Sequence, residues 1–257
     1  MQLKAIALTV GLACAVSAGP ASAEDTEITV RVMSKDAKFV GTSMGGARVV
    51  LRDAETGKIL ANGLTTGGTG DTDKIMHTDK GRRASMVDDS AAGFTTTLDL
   101  DRPHLIEAEI YGPLAQQQAA QMASATQWVI PGGHLSVGDG WIIELPGFVV
   151  DVLEPAAAQK MAATEVDSVT VSANVMMMCG CPITPDGLWD ANQYEVAMTI
   201  MRNGEVIGEE SMSYAGTSSR FSGEVPIDGA GIYDITVHAY DPHNGNTGID
   251  RTTLVVD

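Results

Sequence analysis

Ile232-Tyr233-Asp234-Ile235-Thr236-Val237-His238-Ala239-Tyr240-Asp241 sets Tyr233, Ile235, Val237 and Ala239 out of phase with Asp234, Thr236 and His238. A period of two marks a half-buried β-strand, because successive side chains leave opposite faces of a sheet. The first set is assigned to a core and the second to the face opposite it. The same reading extends outward in both directions. Val169–Met178, Tyr194–Arg202, Glu205–Tyr214 and Arg220–Val225 precede the stretch, Gly248–Val256 follows it, and the six together make a strand-only region. Asn203-Gly204, between two of them, has the two residue types that accept positive φ and predicts a type I′ hairpin.

The first half has the same character. Ile28–Met33, Ala47–Arg52, Phe94–Leu100, Leu105–Tyr111 and the apolar run Trp141–Leu153 read as strands, with turn residues such as Asp101-Arg102-Pro103-His104 between them. Leu114–Trp128 combines Ala and Gln, which favour helix, with a β-like end, and its type stays open. Glu154–Ala163 is an alanine-rich break. These readings predict an all-β protein of two β-sandwich domains in tandem after a cleaved signal peptide. The signal covers 1–23, the first sandwich 24–153, a linker 154–165 and the second sandwich 166–257. Residues 66–92 form a long Gly/Asp insertion in the first sandwich. Its Asp71-Thr72-Asp73 lacks the alternating ligands and terminal Glu of a calcium loop, and no Gly-Lys-Ser/Thr phosphate loop is present.

Two stretches resemble known families. Gly46 through Thr65, a strand, an Asp/Thr-Gly turn and a second strand, resembles the lead-in of transthyretin-like and carboxypeptidase-regulatory-like β-sandwiches. Ile232–Asp241 followed by Gly245-Asn246-Thr247-Gly248 resembles the last two strands of bacterial immunoglobulin-like and fibronectin-III-like domains. The resemblance implies the sandwich fold, and modules of that kind usually bind or space other molecules.

Residues 1–23 carry Lys4, an apolar run of about 12 residues and the triplet Ala21-Ser22-Ala23, the pattern of a secretory signal. That run is shorter than the roughly 20 residues of a bilayer span, so no stable membrane insertion is expected. The predicted location is the periplasm or the exterior. The formal net charge is −17, and loss of Lys4 with the leader makes the mature chain one unit more negative. Such a chain is repelled by phosphate backbones, which excludes nucleic acid as a partner class and leaves a protein of the same compartment, or a cation.

One loop is chemically unusual: Met176-Met177-Met178-Cys179-Gly180-Cys181-Pro182 holds both cysteines outside the leader, beside three thioethers. If six strands alternate up and down, the connections 179–193, 215–219 and 242–247 emerge at one end, as binding loops do in immunoglobulin folds. That brings His243 towards the cysteines. Thiolate, thioether and imidazole are donors that copper favours, Cu(I) above all, so Cys179, Cys181, Met178, His243 and Met176 are the candidate metal ligands. Closed tetrahedral zinc would require more Cys or His. The alternative is a disulfide between Cys179 and Cys181 in a structural or protein-interaction module, with Val175 and Met177 in the core and Met176 and Met178 on the sheet's other face. Closing so small a ring adds little loop entropy. A thiol-disulfide exchange partner is the third reading. No Gly-x-Ser-x-Gly, His-Glu-x-x-His or paired-carboxylate pattern supports an enzyme. His77, His104 and His134 stand in separate turns without ligand spacing.

Overall fold

The computed structural model describes residues 23–77, 81–164 and 166–257, and is all-β with four sheets among those residues. The predicted leader lies outside the described residues except for Ala23. Strands β1 (Glu24–Ser34), β4 (Phe94–Leu100) and β7 (Trp141–Leu145) form one sheet, in which β1 runs antiparallel to β4 and parallel to β7. Facing it, β2 (Arg48–Asp53), β3 (Ile59–Leu64), β5 (His104–Gly112) and β6 (Gln121–Val129) make a sheet of order β3-β2-β5-β6. Ile28, Val30, Val32, Leu51, Ile106 and Ile110 fill the space between, each burial worth about 1.5–3 kcal/mol.

The second sandwich pairs a four-stranded with a five-stranded sheet. The first has the order β13-β14-β10-β8, from β8 (Phe148–Glu154), β10 (Ser168–Met177), β13 (Ser213–Tyr214) and β14 (Arg220–Pro226). The other has the order β12-β11-β15-β16-β9, from β9 (Gln159–Met161), β11 (Glu195–Arg202), β12 (Glu205–Ser211), β15 (Gly231–Tyr240) and β16 (Thr247–Val256). Tyr233, Ile235, Val237 and Ala239 of β15 are buried as their parity requires. Asn203 and Gly204 take φ of 52° and 86°, as a type I′ turn demands.

Three stretches differ from the sequence reading, each for an identifiable reason. Trp141–Leu153 is two strands, because Pro146 cannot donate to a ladder and Gly147 takes φ 121°. The second of them, β8, hydrogen-bonds to β10, so residues placed in the first sandwich build the second. Residues 154–165, read as a linker, contain β9, which runs parallel to β16. Glu205–Tyr214 breaks at Met212, whose side chain turns into the core while its backbone N–H bonds to Val196. The chain thereby passes from one sheet to the other.

The open segment 114–128 becomes turns followed by β6. Pairing with β5 through nine positions overrides the helical preference of Ala and Gln. The Gly/Asp insertion is anchored at its ends by bridges Thr66–Gly93 and Gly68–Ala91, over a small cluster of Phe39, Ala91 and Ala92. Asp73–His77 within it forms one wide helical turn.

Candidate functional site at the junction of the sandwiches

Beyond β10 the chain reverses at Met178-Cys179-Gly180. Gly180 N–H bonds to Met177 O at 2.8 Å, and Met177 N–H to Cys181 O at 3.2 Å. Gly180 takes φ 78°, a conformation that strains any side-chain-bearing residue. Cys179 and Cys181 are joined in a disulfide and are 1% and 4% exposed. The connection 215–219 lies against this loop as strand parity predicts. Ser219 N–H donates to Ile183 O at 2.8 Å, and Ser219 Oγ accepts from Ile183 N–H at 3.1 Å.

The methionines divide by parity. Val175 and Met177 enter the core of the second sandwich together with both cysteines. Met176 and Met178 point the other way, into or against the core of the first. The paired strand does likewise: Phe148 and Val150 face the second core, while Val149, opposite Met176, faces the first. The end of the β8–β10 ladder is therefore a wall common to both cores. Sequence reasoning missed this wall, although a signal existed. Phe148-Val149-Val150 and Val175-Met176-Met177-Met178 are unbroken apolar runs, which a strand needs only when both faces are covered.

A turn of the first sandwich closes over the same end. Trp189, itself buried, donates its indole N–H to Asp36 O at 2.9 Å. Ala37 joins the second core, and a Cβ on Gly180 would lie 2.6 Å from Met44 Sδ. Lys35 Nζ donates to Asn244 O at 2.8 Å, and Asn246 bridges from Lys35 O to Gly147 N–H. Burial, and next the neighbouring Asp241, raise the Asp36 carboxyl above its ordinary pKa. Burial, with Asp241 again second, raises the Tyr194 phenol.

His243 stands apart from the sulfurs in its contacts. Its side chain is 67% exposed, and both its backbone N–H and its ring Nδ1 approach Oδ1 of buried Asp241, at 2.8 and 3.2 Å. Of the five predicted ligands, the structure joins the two cysteines, turns Met176 and Met178 towards the other core, and leaves His243 at the rim. Among the described residues no group of three or more His, Cys, Asp or Glu side chains is placed to hold a metal ion. No helix among them is long and apolar enough to cross a membrane.

On the outer face of the five-stranded sheet lies a shallow groove of about 640 Å³. Tyr194, Glu195, Glu209, His238, Tyr240 and Ile249 line it. His238 reaches it because it has the opposite parity to Val237 and Ala239.

No family model matches the chain, and no curated protein matches it. Among solved structures, an engineered protein is similar over 50% of this chain at 15% identity and a TM-score of 0.32. This chain spans about a quarter of that protein's length, 24%. CopC from Methylosinus trichosporium OB3b is 15% identical over 42% of this chain and 93% of its own, with a TM-score of 0.29. The fibronectin(III)-like modules of Clostridium thermocellum CbhA cover 93% of this chain and 92% of their own, at 13% identity and a TM-score of 0.28.

Proposed function

We propose that the chain is an exported protein-interaction module, in which the Cys179–Cys181 disulfide is an inert interior part of the joint between two sandwiches. One observation carries this reading. Both cysteines are bonded to each other and buried in the core that also holds Trp189, and Met44 abuts Gly180 between them, while Met176 and Met178 serve the neighbouring core. What remains for recognition is surface, and the groove beside Tyr194 and Tyr240 offers aromatic faces next to Glu195 and Glu209. That chemistry suits a partner segment bearing Lys or Arg among apolar groups, in the same compartment.

Copper handling by Cys179, Cys181, Met178, His243 and Met176 is the competing reading of the loop. It requires reduction of the disulfide and withdrawal of two thioethers from a packed core. Thiol counting and Cu(I) titration of oxidised and reduced protein decide between them. The module reading expects no reactive thiol in the native oxidised protein and no stoichiometric Cu(I) uptake after reduction. Stoichiometric uptake that disappears in the Cys179→Ser, Cys181→Ser variant overturns it in favour of copper. Rapid exchange of the native disulfide with small thiols overturns it in favour of redox partnership.

A further inference from the structure

Strand β6 ends its sheet, and β7, at the end of the facing sheet, packs beside it without pairing to it. Among the described residues no strand pairs with the outer edge of β6, and residues 122–129 make no backbone hydrogen bond outside their ladder with β5. Exposed strand edges are templates for further pairing, and soluble proteins blunt them with charge, proline, bulges or very short strands. Other edges of this protein follow that rule. β12 carries Glu205, Glu209 and Glu210, and its ladder with β11 is interrupted by a bulge. β13 and β9 have two and three residues. β6 has none of these devices. Gln121-Met122-Ala123-Ser124-Ala125-Thr126-Gln127-Trp128-Val129 contains neither charge nor proline, in a chain of net charge −17, and pairs with β5 without a register shift.

We propose that β6 pairs antiparallel with β6 of a second copy of this chain, across a twofold axis at Ala125. This goes beyond the module reading and is independent of the state of the cysteines. Two features of the strand select a second copy as the occupant. The first is charge. Two molecules this acidic repel each other wherever carboxylates meet, and a nine-residue strand free of charge keeps Glu107 and Glu109 of β5 one strand back from the contact. The second is register. Outer-face residues must oppose outer-face residues, which a twofold axis through the midpoint satisfies. Met122 then meets Trp128 of the partner and Ser124 meets Thr126, while Ala125 faces itself. Met122 and Trp128 are 64% and 57% exposed, so two large apolar groups left to water in one copy cover each other in the pair. Sulfur–aromatic contact and Ser–Thr hydrogen bonding are among the favourable cross-strand combinations. The two four-stranded sheets become one of eight.

The full chain is examined by sedimentation equilibrium over a range of concentrations, and a reversible dimer is expected. Met122→Lys with Trp128→Lys, both at exposed positions whose neighbours on β5 are the uncharged Tyr111 and Leu105, sets like charges opposite each other twice, and weakens the dimer roughly tenfold or more. Mixing that variant with Met122→Glu, Trp128→Glu restores dimers of mixed composition. Ala125→Cys tests the register without altering charge. Directly opposed residues lie about 4.5–5.5 Å apart, within disulfide reach, so this variant forms a covalent dimer under oxidising conditions. Ala123→Cys does not, since its two copies would be offset by roughly 13 Å along the strands. A chain that stays monomeric throughout, a dimer indifferent to the lysine pair, or cross-linking at 123 in preference to 125 overturns the proposal.

Discussion

Trp189 donates its indole N–H to the backbone carbonyl of Asp36 at 2.9 Å, across 153 positions of sequence. The bond ties the cysteine connection to the turn that follows β1. Trp189→Phe leaves that carbonyl without its donor and should cost about 1–3 kcal/mol. Trp189→Ala adds a cavity and should cost about 3–5 kcal/mol. Denaturant unfolding measures both, and hydrogen exchange should show residues 35–37 losing protection in the Phe variant. Unchanged exchange there would mean that packing alone holds the turn.

Gly180 and Met44 meet from opposite sandwiches. Gly180→Ala should destabilise by about 1–2 kcal/mol through its left-handed backbone alone, and further because the new Cβ would lie 2.6 Å from Met44 Sδ. Shortening Met44 to Ala in that background should return the second part. A double-mutant cycle reads this as a coupling energy, and strict additivity would deny the contact.

Two carboxylates predict opposite responses to acid. Asp53 is held far below its ordinary pKa by hydrogen bonds, first from His104 and then from Thr56. Its contribution is complete above the unfolded value of about 3.9 and is lost as pH falls through the depressed native value. Asp36, raised by burial and by Asp241, costs stability when ionised, and that cost is relieved as pH falls through its raised value. Urea midpoints between about pH 7 and pH 3 should therefore fall less steeply in Asp53→Asn than in the parent. Asp36→Asn should gain stability at neutral pH, and a loss there would show that its charge is better compensated than its surroundings indicate.

A protease cut within 154–164 should leave one species on native electrophoresis. β8 lies before the cut and pairs with β10 beyond it, and denaturant should be needed to part the pieces. Two separately stable halves released without denaturant would show that this ladder is dispensable.

Period-two patterning made the strand content legible: Phe94–Leu100 has the same bounds in the sequence reading and in the structure, and Ile232–Asp241 is displaced by a single residue, to Gly231–Tyr240. Chain reversals at Asn203-Gly204 and Asp101–Pro103 were legible for the same local reason, since turn chemistry is carried by the residues in the turn. The partner of a strand was not. Nothing local in Phe148–Glu154 distinguishes pairing with β10 from pairing within the first sandwich, because parity fixes which side is apolar and not which core it meets. The candidate loop was located correctly at one end of the second sandwich, but its neighbours Asp36, Ala37 and Met44 belong to the other half. Long-range packing of this kind leaves no trace in a single short window.

Only Pro146 and Gly147 separate β7 from β8. Two beads on a flexible string could each swivel to meet a ligand of its own. A two-residue tether, with a wall shared by both cores, removes that freedom, and a push on the outer face of β15 is passed to β6 rather than absorbed at a hinge. The molecule is accordingly a ruler: a surface on one sandwich keeps a set spacing from a surface on the other.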